Sequence, residues 1–253
     1  MKITFLGTGT SQGVPMIACP CEVCTSPDPR DKRLRSSILI SAAGRNVVVD
    51  TTPDFRYQML RAAVTRLDAI LITHSHKDHI AGMDDVRAFN YFQKGPVHVY
   101  ATAASQAGIR TEFPYVFAEE RYPGIPEIIL HDIDRSPFEA AGLAVTPIQV
   151  MHYKMPVVGF RIGDFTYITD ANYIDPVEKK KLKGTKILVL NALRKKPHLS
   201  HFTLSQAIAL SDEVGAEQTY FTHISHQLGR YAEVKKELPE GKFLAYDGLE
   251  IQL

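Results

Sequence analysis

An apolar run, residues 67 to 72, empties directly into Thr73-His74-Ser75-His76-Lys77-Asp78-His79. The run has the length and composition of a buried strand, so its polar sequel falls at a strand end. Imidazole nitrogens and carboxylate oxygens at this density are the donor set that borderline divalent ions accept, and a turn lets them converge. A solvated loop with a chance His or Asp is the plainer explanation. Three of the chain's ten histidines and an aspartate in this order make it the weaker one.

Further metal-capable residues follow predicted strands. Strands are expected over 37–41, 46–49, 67–72, 97–100, 143–150, 157–162, 165–169, 186–190 and 219–221, with helices over 55–64, 84–92 and from Thr102. Asp50, His152, Asp170 and His223 stand at or just past four of these strand ends. Several strand ends must therefore meet at one edge of the fold, and two packed sheets with helices outside meet that requirement. The segment 110–126, with prolines among aromatics, is the least regular; it reads as packing, with a lid or an oligomer contact as alternative uses.

At 253 residues and a formal charge of +1, the chain is long enough for one α/β domain spanning 1–253 and carries no global field for gathering nucleic acid. Met1 to Leu6 reads as a strand running into Gly7-Thr8-Gly9-Thr10, without the features of a signal peptide. No stretch approaches the apolar length of a membrane-crossing helix, about 18 residues or more. The three cysteines crowd into Cys19-Pro20-Cys21-Glu22-Val23-Cys24, which suits metal ligation in a reduced compartment better than a secreted disulfide framework. A cytoplasmic protein with no membrane partner is the expectation.

A hydrolytic site needs ligands enough to hold its ion, an open position for water and, for two ions, a bridging anion. His74, His76 and His152 can hold one ion, Asp78, His79 and His223 a second, and Asp170 can bridge both. Read alone, His152 or Asp170 would more often be structural. Cys19, Cys21 and Cys24 supply three soft ligands where tetrahedral zinc wants four. His226, three residues beyond His223, is the natural fourth and lets one loop serve both sites.

Asp50, the HxHxDH signature at 74–79 and the single His, Asp and His at 152, 170 and 223 resemble the metallo-β-lactamase superfamily over nearly the whole chain. The resemblance implies an α/β fold, an αββα sandwich of two mixed β-sheets flanked by helices, with metals at one edge between the sheets. Asp50 is not a usual ligand there and is expected to support the His-rich loop from behind. The cysteine cluster, the glycine-rich start and Thr222 to His226 are similar to the PhnP-type cyclic phosphodiesterases, which open phosphoribosyl 1,2-cyclic phosphate. That similarity implies two divalent ions, Mn2+ or Zn2+, in the hydrolytic site and one structural Zn2+ on Cys19, Cys21, Cys24 and His226. It also implies His201 as proton donor to the leaving oxygen; without it, His198 and His201 read equally as helix-entry residues. Asp78 is expected both to ligate and to orient the nucleophile. Arg87 and Arg194 are placed for substrate or for ligand support, whereas the lysine run from Lys179 reads as a solvated helix face. Gly7 to Thr10 lacks the Lys-Ser/Thr ending of a phosphate loop.

The implied function is a metal-dependent phosphodiesterase that opens a small cyclic phosphate, phosphoribosyl 1,2-cyclic phosphate or a 2′,3′-cyclic nucleotide, by attack of hydroxide held between two ions. Its expected partner is a small-molecule phosphodiester rather than extended nucleic acid, and the resemblance leaves a homodimer open. One alternative is an RNA phosphodiesterase similar to tRNase Z, against which the near-neutral charge and the lack of a long tRNA-gripping insertion count. Another is a noncatalytic protein similar to the pyrroloquinoline quinone accessory protein, whose catalytic motif is depleted; here all seven ligands are present.

Overall fold

The strand ahead of the His-rich loop comprises Ala69, Ile70 and Leu71, all fully buried, and its place in the fold explains why it is apolar on both faces. In the computed structural model, which describes residues 1–120 and 122–253, six strands come first: β1 (Lys2–Gly7), β2 (Ser37–Ala42), β3 (Arg45–Val49), β4 (Ala69–Leu71), β5 (Val97–Ala101) and β6 (Ile128–Asp132). Then come β7 (Phe138–Ala140), β8 (Leu143–His152), β9 (Met155–Ile162), β10 (Phe165–Ile168), β11 (Tyr173–Ile174), β12 (Ile187–Asn191), β13 (Gln218–Thr222) and β14 (Lys242–Leu244). The last, β15 (Glu250–Gln252), returns to pair with β1.

Among the described residues, one sheet runs β15-β1-β2-β3-β4-β5-β6 and the other β11-β8-β9-β10-β12-β13-β14, with β7 beside β8. Both are mixed: β3 to β6 are parallel, as are β10, β12, β13 and β14, while the remaining neighbours pair antiparallel. Parallel strands covered on both faces read as continuous apolar runs, which is the pattern of β4 and β12.

Phe5, Ile38, Val49 and Leu71 from the first sheet meet Phe160, Tyr167, Val189 and Tyr220 from the second in the shared core. Short helices occupy the outer faces: α1 (Phe55–Arg61), the single turn α2 (Lys77–Ile80), α3 (Arg87–Gln93) and α4 (Ala103–Glu112) go with the first sheet. Phe55, Met59, Phe89 and Ile109 carry that contact onto Ile70 and Val99. Beyond the single turn α5 (Pro176–Lys179), α6 (Leu204–Val214) lays Leu204, Ala207 and Leu210 on Leu188 and Phe221; the turn α7 (Tyr231–Val234) adds Tyr231 and Val234. Thr203 and Gln206 cap α6 reciprocally, and Gly215 ends it in the left-handed conformation. The layers are helix, sheet, sheet, helix.

The helix expected over 84–92 is split, with a 3-10 turn at Met83–Val86 ahead of α3. Gly82, just ahead of that turn, packs tightly on the 52–55 segment: a Cβ there would come 2.1 Å from the Thr52 carbonyl oxygen. In the 110–126 segment, a 3-10 turn at Pro114–Phe117 follows α4, and Phe113, Val116 and Ile125 are buried in the outer core. Arg121, within that segment, lies outside the described residues. Among the described residues no helix is long and apolar enough to cross a membrane.

Candidate active site

Three strand ends deliver their polar residue through a left-handed backbone: Asp50 after β3 at φ 66°, Asp170 after β10 at 52° and His223 after β13 at 54°. That conformation costs a non-glycine residue roughly 1–2 kcal/mol, though Asp, Asn and His tolerate it better than most. The sharp bend carries all three side chains, drawn from both sheets, into one buried cluster with the His-rich loop after β4.

Asp170 is the hub. Its carboxylate lies 2.9 Å from His223 Nδ1, 3.4 Å from His79 Nε2, 3.5 Å from His201 Nε2 and 3.7 Å from His74 Nε2. His74 Nε2 and His76 Nδ1 are 3.1 Å apart, and Asp78 Oδ2 is 3.2 Å from His79 Nε2. Three donor groups each converge within 4.8 Å: His74, His76 and Asp170; His79, Asp170 and His223; His152, Asp170 and His201. The sequence grouped His152 with His74 and His76. The structure seats it nearer His201, ring centroids 4.7 Å apart, than His76 at 5.3 Å.

The donor set fits divalent cations on an independent count. His79 Nε2, His201 Nε2 and His223 Nδ1 are buried and make no properly angled hydrogen bond, although each faces the Asp170 carboxylate. Buried nitrogens left so cost about 1–3 kcal/mol each, a penalty that ligation removes.

Supporting contacts fix which nitrogen each ring presents. Asp50 accepts from the Thr73 N–H at 2.9 Å, from Thr73 Oγ1 at 2.8 Å and from His79 Nδ1 at 2.7 Å. Because the Thr73 hydroxyl donates to Asp50, it accepts from His74 Nδ1 at 3.0 Å and leaves His74 Nε2 with its lone pair. His152 Nδ1 donates to the Ser200 carbonyl at 3.0 Å, and Thr10 Oγ1 sits 3.3 Å from His223 Nε2. Thr73, Thr10 and Ser200 were not singled out in the sequence. Their signal there was adjacency alone, the Thr before the first His of the motif being the plainest case.

Burial, with the neighbouring His79 charge, holds the His74 imidazolium well below the usual histidine range. Burial also lowers His152 and takes His201 down to about 4. It pulls His79 the same way, but the carboxylates of Asp170, Asp78 and Asp50 outweigh it and lift that ring well above the range. Burial opposes ionisation of Asp170 and Asp78 too; His223 and His79 overcome it at the first, His79 at the second, and both carboxyls fall below their ordinary range. Burial lifts Asp50, against its three donors.

A second donor set forms where the sequence expected it. Cys19, Cys21, Cys24 and His226 converge within 4.8 Å, with His226 Nδ1 3.4 Å from Cys19 Sγ and 3.3 Å from Cys21 Sγ. The contact with His226 lowers the Cys21 thiol to about 6, whereas burial pushes Cys24 up to about 11. Hydrogen bonds from Ile224 N–H to Thr8 O and from Thr10 N–H to Ile224 O pin the 223–226 loop to the glycine-rich start. Gly7 and Gly9 let the same start lie against the 33–35 segment: a Cβ would come 1.9 Å from the Arg35 carbonyl oxygen at the first and 2.9 Å from that of Arg33 at the second.

Of the two arginines singled out, Arg87 is surface-exposed and paired with Asp84 at 2.9 Å. Arg194 instead lines a cavity of about 350 Å3 together with His198, His201 and His226. A cavity of about 390 Å3, lined by His74, Ser75, Gln149 and Met155, opens on the other side of the cluster. The lysine run is a paired surface: Lys179 meets Glu213, Lys181 meets Glu178 and Lys186 meets Asp164.

Comparison with known proteins gives the family of the chain. Residues 45–224 match the β-lactamase superfamily domain. A crystal structure described as a new diphosphatase from the PhnP family is 40% identical and superposes with a TM-score of 0.93, over 100% of this chain and 97% of that one. A Porphyromonas gingivalis protein named octanoyltransferase is 40% identical over 253 residues, 99% of this chain; the chain spans only 51% of that relative's length. Zn2+-bound PqqB from Methylobacterium extorquens shares the fold, with a TM-score of 0.80 at 21% identity over the full length of both chains.

Proposed function

Because the chain belongs to the β-lactamase superfamily, in its PhnP-like branch of metallohydrolases, we propose that it is a dinuclear metal-dependent phosphodiesterase acting on a small cyclic phosphate. The observation that carries this reading is Asp170, one carboxylate faced by four imidazoles, three of them within 3.5 Å. A single buried anion shared among ligand groups is what a pair of ions needs as its bridge. We assign His74, His76 and His152 to one ion and Asp78, His79 and His223 to the other, with a separate zinc on Cys19, Cys21, Cys24 and His226.

Divalent ions held there supply positive charge for the phosphoryl oxygens and make water a better nucleophile near neutral pH. The remaining work belongs to the side chains. Asp78, 3.2 Å from His79 Nε2, accepts a hydrogen bond from the attacking water and holds it in line. His201 delivers a proton to the departing alkoxide from the far side of Asp170, and Ser200 Oγ and His198 Nδ1, 3.0 and 3.1 Å from His201 Nδ1, connect it towards solvent. Since burial keeps His201 neutral at rest, it takes up the proton it hands over from solvent, by way of Ser200 and His198, once the negative charge of the substrate is beside it.

Phosphorus chemistry is favoured over thioesters and lactones by the cysteine site and by the likeness to a PhnP-family diphosphatase. That relative makes a diphosphate the second substrate class to assay. The octanoyltransferase name belongs to a protein about twice as long and is not carried over. The deciding experiment assays metal-reconstituted protein on bis(p-nitrophenyl) phosphate, a thioester and a lactone, then on cyclic ribose phosphates. Phosphodiester turnover with manganese or zinc is expected; turnover of either other ester without it overturns the substrate class.

A further inference from the structure

Neighbouring strands β5 and β6 carry rings that the ligand cluster does not use. His98 and Tyr100 lie two apart on β5 and so share a face, and the parallel register sets His131 of β6 beside Tyr100. His131 stacks on both, ring centroids 4.5 Å from Tyr100 and 5.0 Å from His98, and Phe138 backs Tyr100 at 5.4 Å. The column brings His98 Nδ1 and His131 Nε2 to 2.8 Å of each other, closer than the 3.1 Å between His74 Nε2 and His76 Nδ1. Both rings line a cavity of about 1030 Å3 that shares no residue with the ligand cluster. On its wall Asp68 is taken up by Arg45 at 3.0 Å and Arg66 at 2.8 Å, whereas Glu139 pairs with no cation among the described residues.

We propose that His98 and His131 form a further metal site, which takes a tetragonal Cu2+ or Ni2+ ion on His98 Nδ1 and His131 Nε2, its remaining positions filled by water and the Glu139 carboxylate. Geometry selects the ion. Two nitrogens about 2.0–2.1 Å from a common ion stand about 3.3–3.4 Å apart at the tetrahedral angle of zinc, but about 2.8–3.0 Å apart at a right angle. Right-angled sites of nitrogen and oxygen donors are those of Cu2+ and Ni2+. The observed 2.8 Å matches the right angle. Burial, with His98 alongside, lowers His131, so near neutral pH its ring keeps the lone pair that an ion needs. Both imidazoles stand on strands and are held by stacked neighbours, so little order is lost when an ion binds. A hydrogen bond between two neutral rings also spans 2.8 Å, and ligation is what separates the two.

Calorimetric titration with Ni2+, on protein whose other metal positions are saturated with zinc, provides the test. The wild-type chain should take up one further equivalent. His98→Ala and His131→Ala should each weaken that uptake by at least the roughly 10- to 100-fold that loss of a mere supporting group costs. His98→Gln keeps a hydrogen-bonding partner for His131 yet is a poor ligand, so it should lose the ion while Tm stays near that of the wild type. With Cu2+ in place of Ni2+, electron paramagnetic resonance should show an axial signal split by two imidazole nitrogens, a splitting that the variants lose. Absence of a further equivalent in the wild type leaves a plain hydrogen-bonded pair and overturns the site. An equivalent that survives in both His98→Gln and His131→Ala overturns it too, because the ion then lies elsewhere. Turnover of bis(p-nitrophenyl) phosphate should be alike in wild type and variants, so the result does not depend on the substrate reading.

Discussion

The Asp50 carboxylate accepts a hydrogen bond from His79 Nδ1 at 2.7 Å while also holding the backbone and hydroxyl of Thr73, so one buried side chain orients both ends of the His-rich loop. Asp50→Asn keeps the volume but removes the charge and one acceptor. Metal affinity should fall about 10- to 100-fold with the fold retained, as elemental analysis and circular dichroism would register. Full metal content at limiting metal, with unchanged turnover, would count against this role for Asp50.

Asp170 and His76 should behave differently. Asp170 is buried and common to three donor groups, whereas His76 is exposed and belongs to one. Asp170→Asn is expected to empty both hydrolytic positions together. His76→Ala should cost one ion and leave the His79 and His223 position partly filled. Metal-to-protein ratios after gel filtration distinguish the two; equal losses in both variants would contradict the shared-ligand geometry.

Gly108, on α4, abuts the loop between its first two histidines. A Cβ at 108 would lie 2.4 Å from Ser75 Cβ and 2.5 Å from Ser75 Oγ, too close for any real contact. Gly108→Ala should cost about 1–3 kcal/mol, or several degrees in Tm, and should lower turnover further than that loss explains because Ser75 carries His74 and His76 with it. Pairing it with Ser75→Gly, which removes the obstructing atoms, should recover activity; no recovery would place the damage elsewhere.

Cys21→Ser should remove one zinc equivalent and leave the two-ion site occupied, since the two donor sets share no residue. The cost falls on the 10–24 and 223–228 loops, so limited proteolysis should cut there first while the sheets stay protected. Loss of all metal in this variant would mean that the two centres are not separable.

Much of this was legible in the sequence because the chemistry-bearing residues follow apolar runs. A strand ending in His or Asp announces both its own burial and its exit, which located Asp50, Asp170 and His223 as well as the HxHxDH loop. Short strands such as β7, β11 and β15 were not legible, since two or three residues of mixed burial become strands only through the partner that pairs with them. That His152 also approaches His201 was not legible for a different reason: its ring position depends on the Ser200 carbonyl that holds it, a contact across 48 positions. Gly108 carries no signal in the sequence, because its closeness to Ser75 arises only where α4 packs against the His-rich loop.

The loop from His223 to His226 carries a consequence for synthesis. Cys19 and His226 stand 207 positions apart, and Thr10 meets His223 across 213. Contacts of such long sequence separation form late and slowly, because the chain must be nearly all available before its distant parts can close on each other. A nascent chain leaving the ribosome exposes the HxHxDH segment long before its closing ligands exist. The centre that gives the protein its chemistry is thus among the later parts of the fold that can be finished, and an unfinished chain carries most of the ligands without the enclosure that would make them work.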